Sequence, residues 1–430
     1  MEKQKRPAWA AGSIPDETEF CLDFYKRHPM IYAGGKFYDE NGCIREEINL
    51  RQEVYRLVRE FYARGLQSKV ESLVGAMRLE LQTDAPRRDI HLIHMKNGTL
   101  DITRDFYDYK HICAYRLPVS YAPETYQPAQ WLAFLDDLLE PEDILTLQEY
   151  LGYCLIPTNA AQKMLIIIGE GGEGKSRIGV AMRAVLGDAM KNGSVSKLEN
   201  DRFARADLED TLLMVDDDLK LEALGSTNYL KSIITADTPM DLERKGQQSY
   251  QGKLYCRLLA FGNGSLQAIH DRSYGFFRRQ IILTAKPRDP DRVDDPYLGV
   301  KLAAEADSIF LWCLEGLQRL IRQDFRFTIS KKAENNWHDA IKDSNNIVEF
   351  LSSTGYFLLD PEGQTSSKLL YEVYAEWCSD NACKPLSSRT FWTYLASNGH
   401  RYGLRQSKHI PIGHGKESRG FVGIRILSRV

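Results

Sequence analysis

The chain has 430 residues, with 56 lysines and arginines against 59 aspartates and glutamates, a formal net charge of −3. Hydrophobic residues make up 43% and charged residues 27%, the balance of a globular chain of roughly two to four domains, which excludes disordered, collagen-like and coiled-coil proteins. The longest aliphatic run, residues 164–168, is far short of the roughly 18 a membrane span needs, and residues 1–13 carry no signal-like apolar run, so a cytoplasmic protein with no membrane partner is expected.

In residues 49–65, Leu50, Val54, Leu57, Val58, Phe61 and Tyr62 repeat on one helical stripe, with a polar cap at Asn49 and a stop at Gly65. Ser68 and Glu71 have capping-box spacing ahead of Leu73, Val74 and Met77, so a second helix follows, and residues 1–86 read as a mostly helical N-terminal region. Residues 87–160 form the next domain. Ile90, Leu92, Ile93, Leu100 and Ile102 around Asn97-Gly98 suggest short strands, and residues 131–155 return to helix until Pro157. From 161 to 326 short apolar strands alternate with helices, the pattern of a parallel α/β sheet. The strand candidates are 164–169, 212–216, 258–262 and 280–283, with a closing helix at 307–320. Residues 327–346 read as a linker or a partly exposed helix, and a last domain covers 347–430.

Eight cysteines are spread from Cys21 to Cys383, and the pair Cys378 and Cys383 lacks a second Cys or His pair at zinc spacing, so reduced, mostly buried thiols are expected.

Gly169-Glu170-Gly171-Gly172-Glu173-Gly174-Lys175-Ser176 matches the phosphate-loop pattern GxxxxGK[ST], after an apolar strand and at the start of a helix. Glycines let backbone N–H groups turn inward around phosphate oxygens, and the helix N-terminus adds positive partial charge. Gly169, Gly171, Gly172, Glu173, Gly174, Lys175 and Ser176 are therefore the candidate ATP contacts, with Lys175 on the β- and γ-phosphates and Ser176 helping to hold Mg²⁺. Residues 212–215 form a buried strand that delivers Asp216, Asp217 and Asp218 beside the loop. Asp216 is assigned to the Mg²⁺ shell and Asp217 to polarising the attacking water, while Asp218 has the character of a helix cap. No guanine-reading Asn-Lys-x-Asp element is present, which argues against a GTPase. A second strand ends at Asn263, a side chain suited to orienting water beside the γ-phosphate, although Asn after a strand is also a common turn residue.

The segment 233–239 (Ile-Ile-Thr-Ala-Asp-Thr-Pro), then Glu243-Arg244-Lys245-Gly246, the strand to Asn263, and Phe276-Phe277-Arg278-Arg279-Gln280-Ile281-Ile282, in that order, resembles the superfamily 3 helicases, within them the poxvirus-type and phage/plasmid primase-helicase C-terminal module. Residues 93–101 and 131–153 resemble the domain that precedes the motor in that family. The resemblance implies an AAA+-like P-loop ATPase domain, a ring that is commonly a hexamer, ATP hydrolysis between subunits and 3′ to 5′ movement on one DNA strand. Lys175, Asp216, Asp217 and Asn263 match its catalytic motifs, and Arg278 or Arg279 matches its trans-acting arginine finger. Two departures stand out. Ala236 replaces a frequent glycine, and Gly262-Asn263-Gly264 replaces a more usual Ser/Thr-Asn-Glu or Thr-Asn-Asn.

Residues 240–253 read as strand, turn and strand, with Arg244 and Lys245 near the tip and Lys253 following; this is the place of the family's DNA-gripping hairpin, and Tyr250 could add stacking. A solvated charged turn is the alternative. At the C-terminus, helices at 367–377 and 388–398 precede strands at 401–412 and 421–427 around the loop 413–420, a winged-helix arrangement. From 384 to 430 there are nine lysines and arginines against Glu417, so this tail is +8 and the rest of the chain −11. Arg389, Arg401, Arg405, Lys408, Lys416 and Arg419 are the DNA-contact candidates there, with packing on the motor or a protein partner as the alternative.

About 85 residues precede the family-like region, with no zinc cluster or catalytic carboxylate set, so a primase, if used, is expected as a separate protein. The combined expectation is a ring-forming DNA helicase for replication of a phage, prophage or plasmid-like element, acting on single-stranded and forked DNA. The alternatives are an ATP-switched initiator or loader with little unwinding and a P-loop small-molecule kinase; the Arg278-Arg279 region and the basic tail argue against the kinase.

Overall fold

The computed structural model describes residues 6–44, 46–219, 227–246, 248–263, 274–344 and 346–427. They fold as two compact units, one holding the described residues to 219, 227–263 and 278–333, the other holding 274–277 and 334–427.

The first unit opens with helix α1 (Glu17–Arg27), capped by the Asp16 carboxylate on the Glu19 N–H at 3.0 Å. A three-stranded antiparallel sheet follows, β1 (Met30–Ala33), β2 (Lys36–Asp39) and β3 (Gly42–Ile44), then α2 (Glu47–Phe61) and α3 (Leu66–Glu80). The helical pair lies where the apolar stripe predicts it, and Val54, Val58, Leu73 and Met77 pack around Trp9, Phe20 and Phe24. The caps differ from expectation. Glu46, not Asn49, precedes α2, and Gly65, in left-handed backbone at φ 61°, precedes α3. Ser68 therefore lies inside the first turn, where its hydroxyl donates back to Gly65 O at 3.0 Å, and Glu71 pairs with Arg51. The sheet at 30–44 escapes a period-two reading because its strands have only four, four and three residues.

A second antiparallel sheet joins β4 (Leu92–Met95), β5 (Gly98–Asp101) and β6 (Phe106–Tyr107), followed by α4 (Ala129–Leu138) and α5 (Pro141–Tyr153). Next come β7 (Met164–Gly169), α6 (Ser176–Leu186), β8 (Met190–Asn192), α7 (Val195–Asn200), α8 (Arg202–Ala206), β9 (Leu213–Asp216), α9 (Asn228–Thr235), the hairpin β10 (Met240–Leu242) and β11 (Tyr250–Gly252), and β12 (Arg257–Asn263). Helix α10 (Tyr274–Phe277) precedes β13 (Gln280–Thr284), α11 (Leu298–Ala304) and α12 (Ala306–Arg322). The main sheet has the order β13-β7-β12-β9-β8 with every pair parallel. Strands β7, β9, β12 and β13 are apolar almost end to end, as strands covered on both faces must be, while the edge strand β8 is Met-Lys-Asn; the sheet shares one core with α4, α5, α6 and α12. Helices α5 and α12 approach closely at two glycines: a Cβ on Gly152 would lie 2.2 Å from Cys313 O, and one on Gly316 2.2 Å from Gln148 O.

Residues 331–344, expected as a linker or partly exposed helix, form helix α13 (Lys331–Ser344). In the second unit, α14 (Asn346–Ser352), β14 (Phe357–Ser366), α15 (Ser367–Asp380), α16 (Ser388–Asn398), β15 (Arg405–Pro411) and β16 (Glu417–Ile426) surround Phe350, Tyr374, Trp377, Phe391 and Phe421. The antiparallel sheet order is β14-β16-β15. Strand β14 was not anticipated, because a bulge between Asp360 and Gln364 breaks its alternation. Residues 399–402 are a 3₁₀ turn, not strand, and the β15–β16 turn is shorter than the expected loop, closed by Ile412 N–H on Lys416 O at 3.0 Å.

All eight cysteines are free thiols, six of them buried. Among the described residues, no helix is long and apolar enough to cross a membrane.

Candidate nucleotide site and basic surfaces

Strand β7 ends at Gly169 and α6 begins at Ser176, so the loop between them sits at the carboxyl edge of the parallel sheet, where open α/β sheets leave a crevice. Gly171, Gly172 and Gly174 have φ of 112°, 83° and 99°, backbone that side chains other than glycine rarely adopt. Inside the loop the Glu173 carboxylate accepts the Gly171 N–H at 2.8 Å and the Lys175 ammonium at 2.6 Å. Both side chains are buried, Glu173 at 3% and Lys175 at 6% exposure. Burial pushes the Glu173 carboxyl up, but hydrogen bonds from Lys175 and the loop N–H groups outweigh this and hold it below the usual carboxylate range. An internal carboxylate thus takes donors that a phosphate oxygen needs. The loop fits an oxyanion, and Glu173 must swing away for one to enter. A Cβ on Gly169 would lie 2.5 Å from Glu173 Oε1 and 2.7 Å from Lys175 Nζ, so a side chain there would displace the Glu173–Lys175 pair. Ser176 is exposed on the first residue of α6.

The sheet register sets the neighbours of the loop. Asn263 pairs with Gly169 at the end of β12 and is exposed, so its amide stands beside the loop entrance. Asp216, at the end of β9, lies one strand further on, roughly 10 Å from β7 at about 4.8 Å per strand. Asp216 is 4% exposed, and its oxygens accept Val195 N–H at 2.7 Å and Asp218 N–H at 3.2 Å. Burial raises its carboxyl, with the charges of Asp217 and Asp218 adding to the rise and the two N–H bonds opposing it. A divalent cation would relieve that crowding of carboxylates, although among the described residues no group of three or more His, Cys, Asp or Glu side chains is arranged to hold a metal ion. Among the described residues, no hydrogen bond joins Ser176 to Asp216 either. Asp217 is exposed at the same edge, in place to face water. Asp218 gives its N–H to Asp216, and the helix it is expected to cap falls on residues 220–226, outside those described.

Two arginines at the loop were missed by sequence reasoning. Arg292 donates to Glu173 O at 3.0 Å, and a Cβ on Gly172 would lie 3.4 Å from the Arg288 guanidinium. They reach the loop because Ala285 N–H bonds Ile168 O at 2.8 Å, so the chain leaving β13 passes the end of β7. Only that pairing, not a local motif, marks them.

Arg278 and Arg279 are not brought to this chain's own loop. They precede β13, whose first residue pairs with Met164, so they lie at the opposite edge of the sheet, ~16 Å from Gly169 at about 3.3 Å per residue. Arg278 is exposed, and the burial of Arg279 together with the Arg278 charge holds its guanidinium below the usual arginine range. The half-buried Lys163, also missed, donates to Arg278 O at 2.5 Å, and burial and both arginines lower its ammonium. Three cations thus gather at this edge.

The hairpin 240–252 forms as expected, but Arg244, one of its two cations, is engaged within the fold. Arg244 pairs with Glu209 and donates to Gly34 O at 3.0 Å, and Tyr250, expected as a stacking group, gives its hydroxyl to Glu209 at 2.7 Å with Arg244 over its ring. Lys36 bridges Glu209 at 3.1 Å and Asp210 at 2.9 Å, and Arg88 and Tyr38 also bond Asp210. Short strands and the N-terminal sheet together bury this network, which no single segment foretells. Lys245 and Lys253 are exposed, Lys253 beside the Tyr255 ring.

In the second unit Arg389 (α16), Arg401 (the 3₁₀ turn), Arg405 and Lys408 (β15), Lys416 (the turn) and Arg419 (β16) are all exposed. The one acid of this segment, Glu417, binds His409 at 2.7 Å.

A family model described as "Family of unknown function (DUF5906)" matches residues 167–279, the stretch from the phosphate loop to the arginine pair. No curated protein matches the chain. Among solved structures, the apo structure of the NrS-1 C terminal region (305-718) has a TM-score of 0.57 at 12% identity over 98% of this chain and 100% of that one. The A form apo structures of the same region give TM-scores of 0.54 and 0.55, each at 12% identity and covering 97% of this chain and 100% of that one. The chain shares their mixed α/β fold.

Proposed function

We propose that the protein is an ATP-dependent DNA helicase with an AAA+-like P-loop ATPase domain, of the superfamily 3 kind, working in replication of a phage, prophage or plasmid-like element. The observation that carries this is the sheet order β13-β7-β12-β9-β8, which sets the GxxxxGKS loop, Asn263 and Asp216 at the carboxyl ends of three adjacent parallel strands. Lys175 and the loop N–H groups would hold the phosphates of ATP, and Asn263 and Asp217 would orient and polarise water. Ser176 and Asp216 are the residues for Mg²⁺, which supplies charge neutralisation across the phosphate oxygens. Arg278 and Arg279 lie too far from their own loop to serve it, which is the placement a finger acting on a neighbouring subunit needs. That favours a ring of copies, with the hexamer as the family's common size.

The order α14, β14, α15, α16, β15, β16 in the basic second unit supports a winged-helix DNA contact. The same exposed cations favour the second reading, an ATP-switched initiator or loader. Strand displacement on forked duplexes, with ATPase and sedimentation on the same samples, separates the two. Wild type should unwind; Lys175→Ala should lose at least about 10²-fold in ATPase, and Arg278→Ala/Arg279→Ala about 10³-fold or more while still assembling. Hydrolysis without displacement on either fork polarity selects the initiator or loader.

A further inference from the structure

A groove of about 700 Å³ opens in the second unit between α16, β15, β16 and the start of α15, lined by Ser367, Trp392, Gln406, Lys408, Arg419 and Phe421. Its volume is within the roughly 300–1,000 Å³ of sites for small organic groups. Trp392 is half-buried and held by neighbouring rings: it lies nearly parallel to Phe421, which also lines the groove, at 6.0 Å and meets Phe391 edge-on at 4.9 Å. A held aromatic face toward a groove is a stacking platform. The cations come from the strands. A bulge between Ser407 and Ile410 puts Lys408 and His409 out of the regular register, and His409 engages Glu417. Neither Lys408 nor Arg419 makes an ion pair among the described residues, so both charges face solvent at the groove. Its floor is tight, because a Cβ on Gly420 would lie 2.2 Å from Thr365 O.

We propose that this groove binds single-stranded nucleic acid, one base stacking on Trp392 and the flanking phosphates meeting Lys408 and Arg419, with Gln406 at the base edge. The occupant follows from the pairing of an aromatic face with cations in a segment of charge +8. A duplex keeps its base faces stacked and offers only phosphates, sugars and base edges, so the aromatic face selects single strands. The groove deepens the DNA-contact reading of the second unit and rests on it, but needs no ATP hydrolysis.

The test is fluorescence anisotropy on the full chain without nucleotide, using a labelled 20-mer of thymidine, the matching uridine 20-mer and a 20-base-pair duplex. Trp392→Ala should weaken the thymidine 20-mer about 5- to 150-fold, leave the duplex unchanged and lower the thermal midpoint through lost packing on Phe391 and Phe421, while Trp392→Phe keeps most of the affinity and the wild-type midpoint. Lys408→Ala/Arg419→Ala should lower the single-strand salt slope by about 1.4. Equal loss on thymidine and uridine supports recognition of any single strand; loss on one alone supports the groove and assigns its sugar preference. Wild-type affinity in Trp392→Ala overturns the stacking site, and a salt-slope change in the cation variant would then leave the DNA-contact reading standing. Equal loss of single strand and duplex in both Trp392 variants overturns it too, by making Trp392 a packing residue. An unchanged slope in the cation variant overturns the phosphate contacts.

Discussion

The hairpin at 240–252 and the strands at 405–426 both set cations beside a turn, but the hairpin's two cations are matched by Asp241 and Glu243 and its Arg244 is paired, whereas the strands carry a single acid, Glu417. Arg244 is held by Glu209 and by the Gly34 carbonyl, and the network continues through Lys36, Asp210, Arg88 and Tyr38. Lys408 and Arg419 make no ion pair among the described residues, and on that sheet Glu417 is engaged by His409 and Asp360 by Arg425. A basic residue therefore signals nucleic acid only when no acid from another segment neutralises it, and that acid is invisible in local sequence.

The largest way to test this contrast is Asp210→Ala. Asp210 is 5% exposed, and burial, which alone would raise its carboxyl, is outweighed by Arg88 and Lys36, which hold it below the usual range. Its removal leaves Arg88 without its carboxylate and Lys36 with Glu209 alone, and should cost ~3–5 kcal/mol in urea unfolding. Arg244→Ala should cost less, ~1.5–3 kcal/mol, and leave affinity for a thymidine 20-mer at the wild-type value. Lost affinity at unchanged stability would break the contrast and return Arg244 to the DNA surface.

A pH experiment sharpens it further, through a buried base that has no acid partner in its hydrogen bonding. His94 bonds Thr99 at 3.1 Å, and burial, then His111 and Arg116, push its pKa down to about 3 from an ordinary 6.5. Between those values the unfolded chain holds the extra proton, so stability falls as pH drops from 6.5 toward 3, by ~1.4 kcal/mol per pH unit. His94→Gln should flatten that slope in unfolding titrations between pH 7 and 5; an unchanged slope assigns the acid sensitivity to other groups. Ala236 gives a smaller effect. It ends α9 at φ 49°, a left-handed position that costs an L side chain roughly 1–2 kcal/mol, part of which glycine returns as unfolded-state entropy. Ala236→Gly should therefore stabilise by ~0.5–1 kcal/mol, read as a raised urea midpoint. Lys408→Ala/Arg419→Ala should move stability least, within about 0.5 kcal/mol, while changing the salt dependence of binding.

The phosphate loop, its following helix and the apolar strands at 164–169, 213–216, 257–263 and 280–284 were legible because each is a local pattern: glycines before Lys-Ser, and runs of branched aliphatics. The departure at Ala236 was also visible, and the structure supplies its physical meaning as a left-handed helix end. Not legible were the sheet at 30–44, whose strands are too short to alternate, strand β14, whose bulge hides its period, and Arg288, Arg292 and Lys163, which carry no motif. Trp392 read only as part of a helix until β15 and β16 closed a groove beside it.

The sequence by itself determined the identity and order of the chemical groups: the loop, the acidic strand, the asparagine strand and the +8 tail. Only the tertiary structure decided which of them meet. It inserted β12 between the loop strand and the acidic strand, sent Arg278 and Arg279 to the far edge of the sheet, folded Glu173 onto Lys175, and neutralised Arg244 with Glu209. The physical reason is that periodicity and turn chemistry act over a few residues, whereas strand order and ion pairing join segments far apart in the chain, as Lys36 and Asp210, 174 residues apart, show.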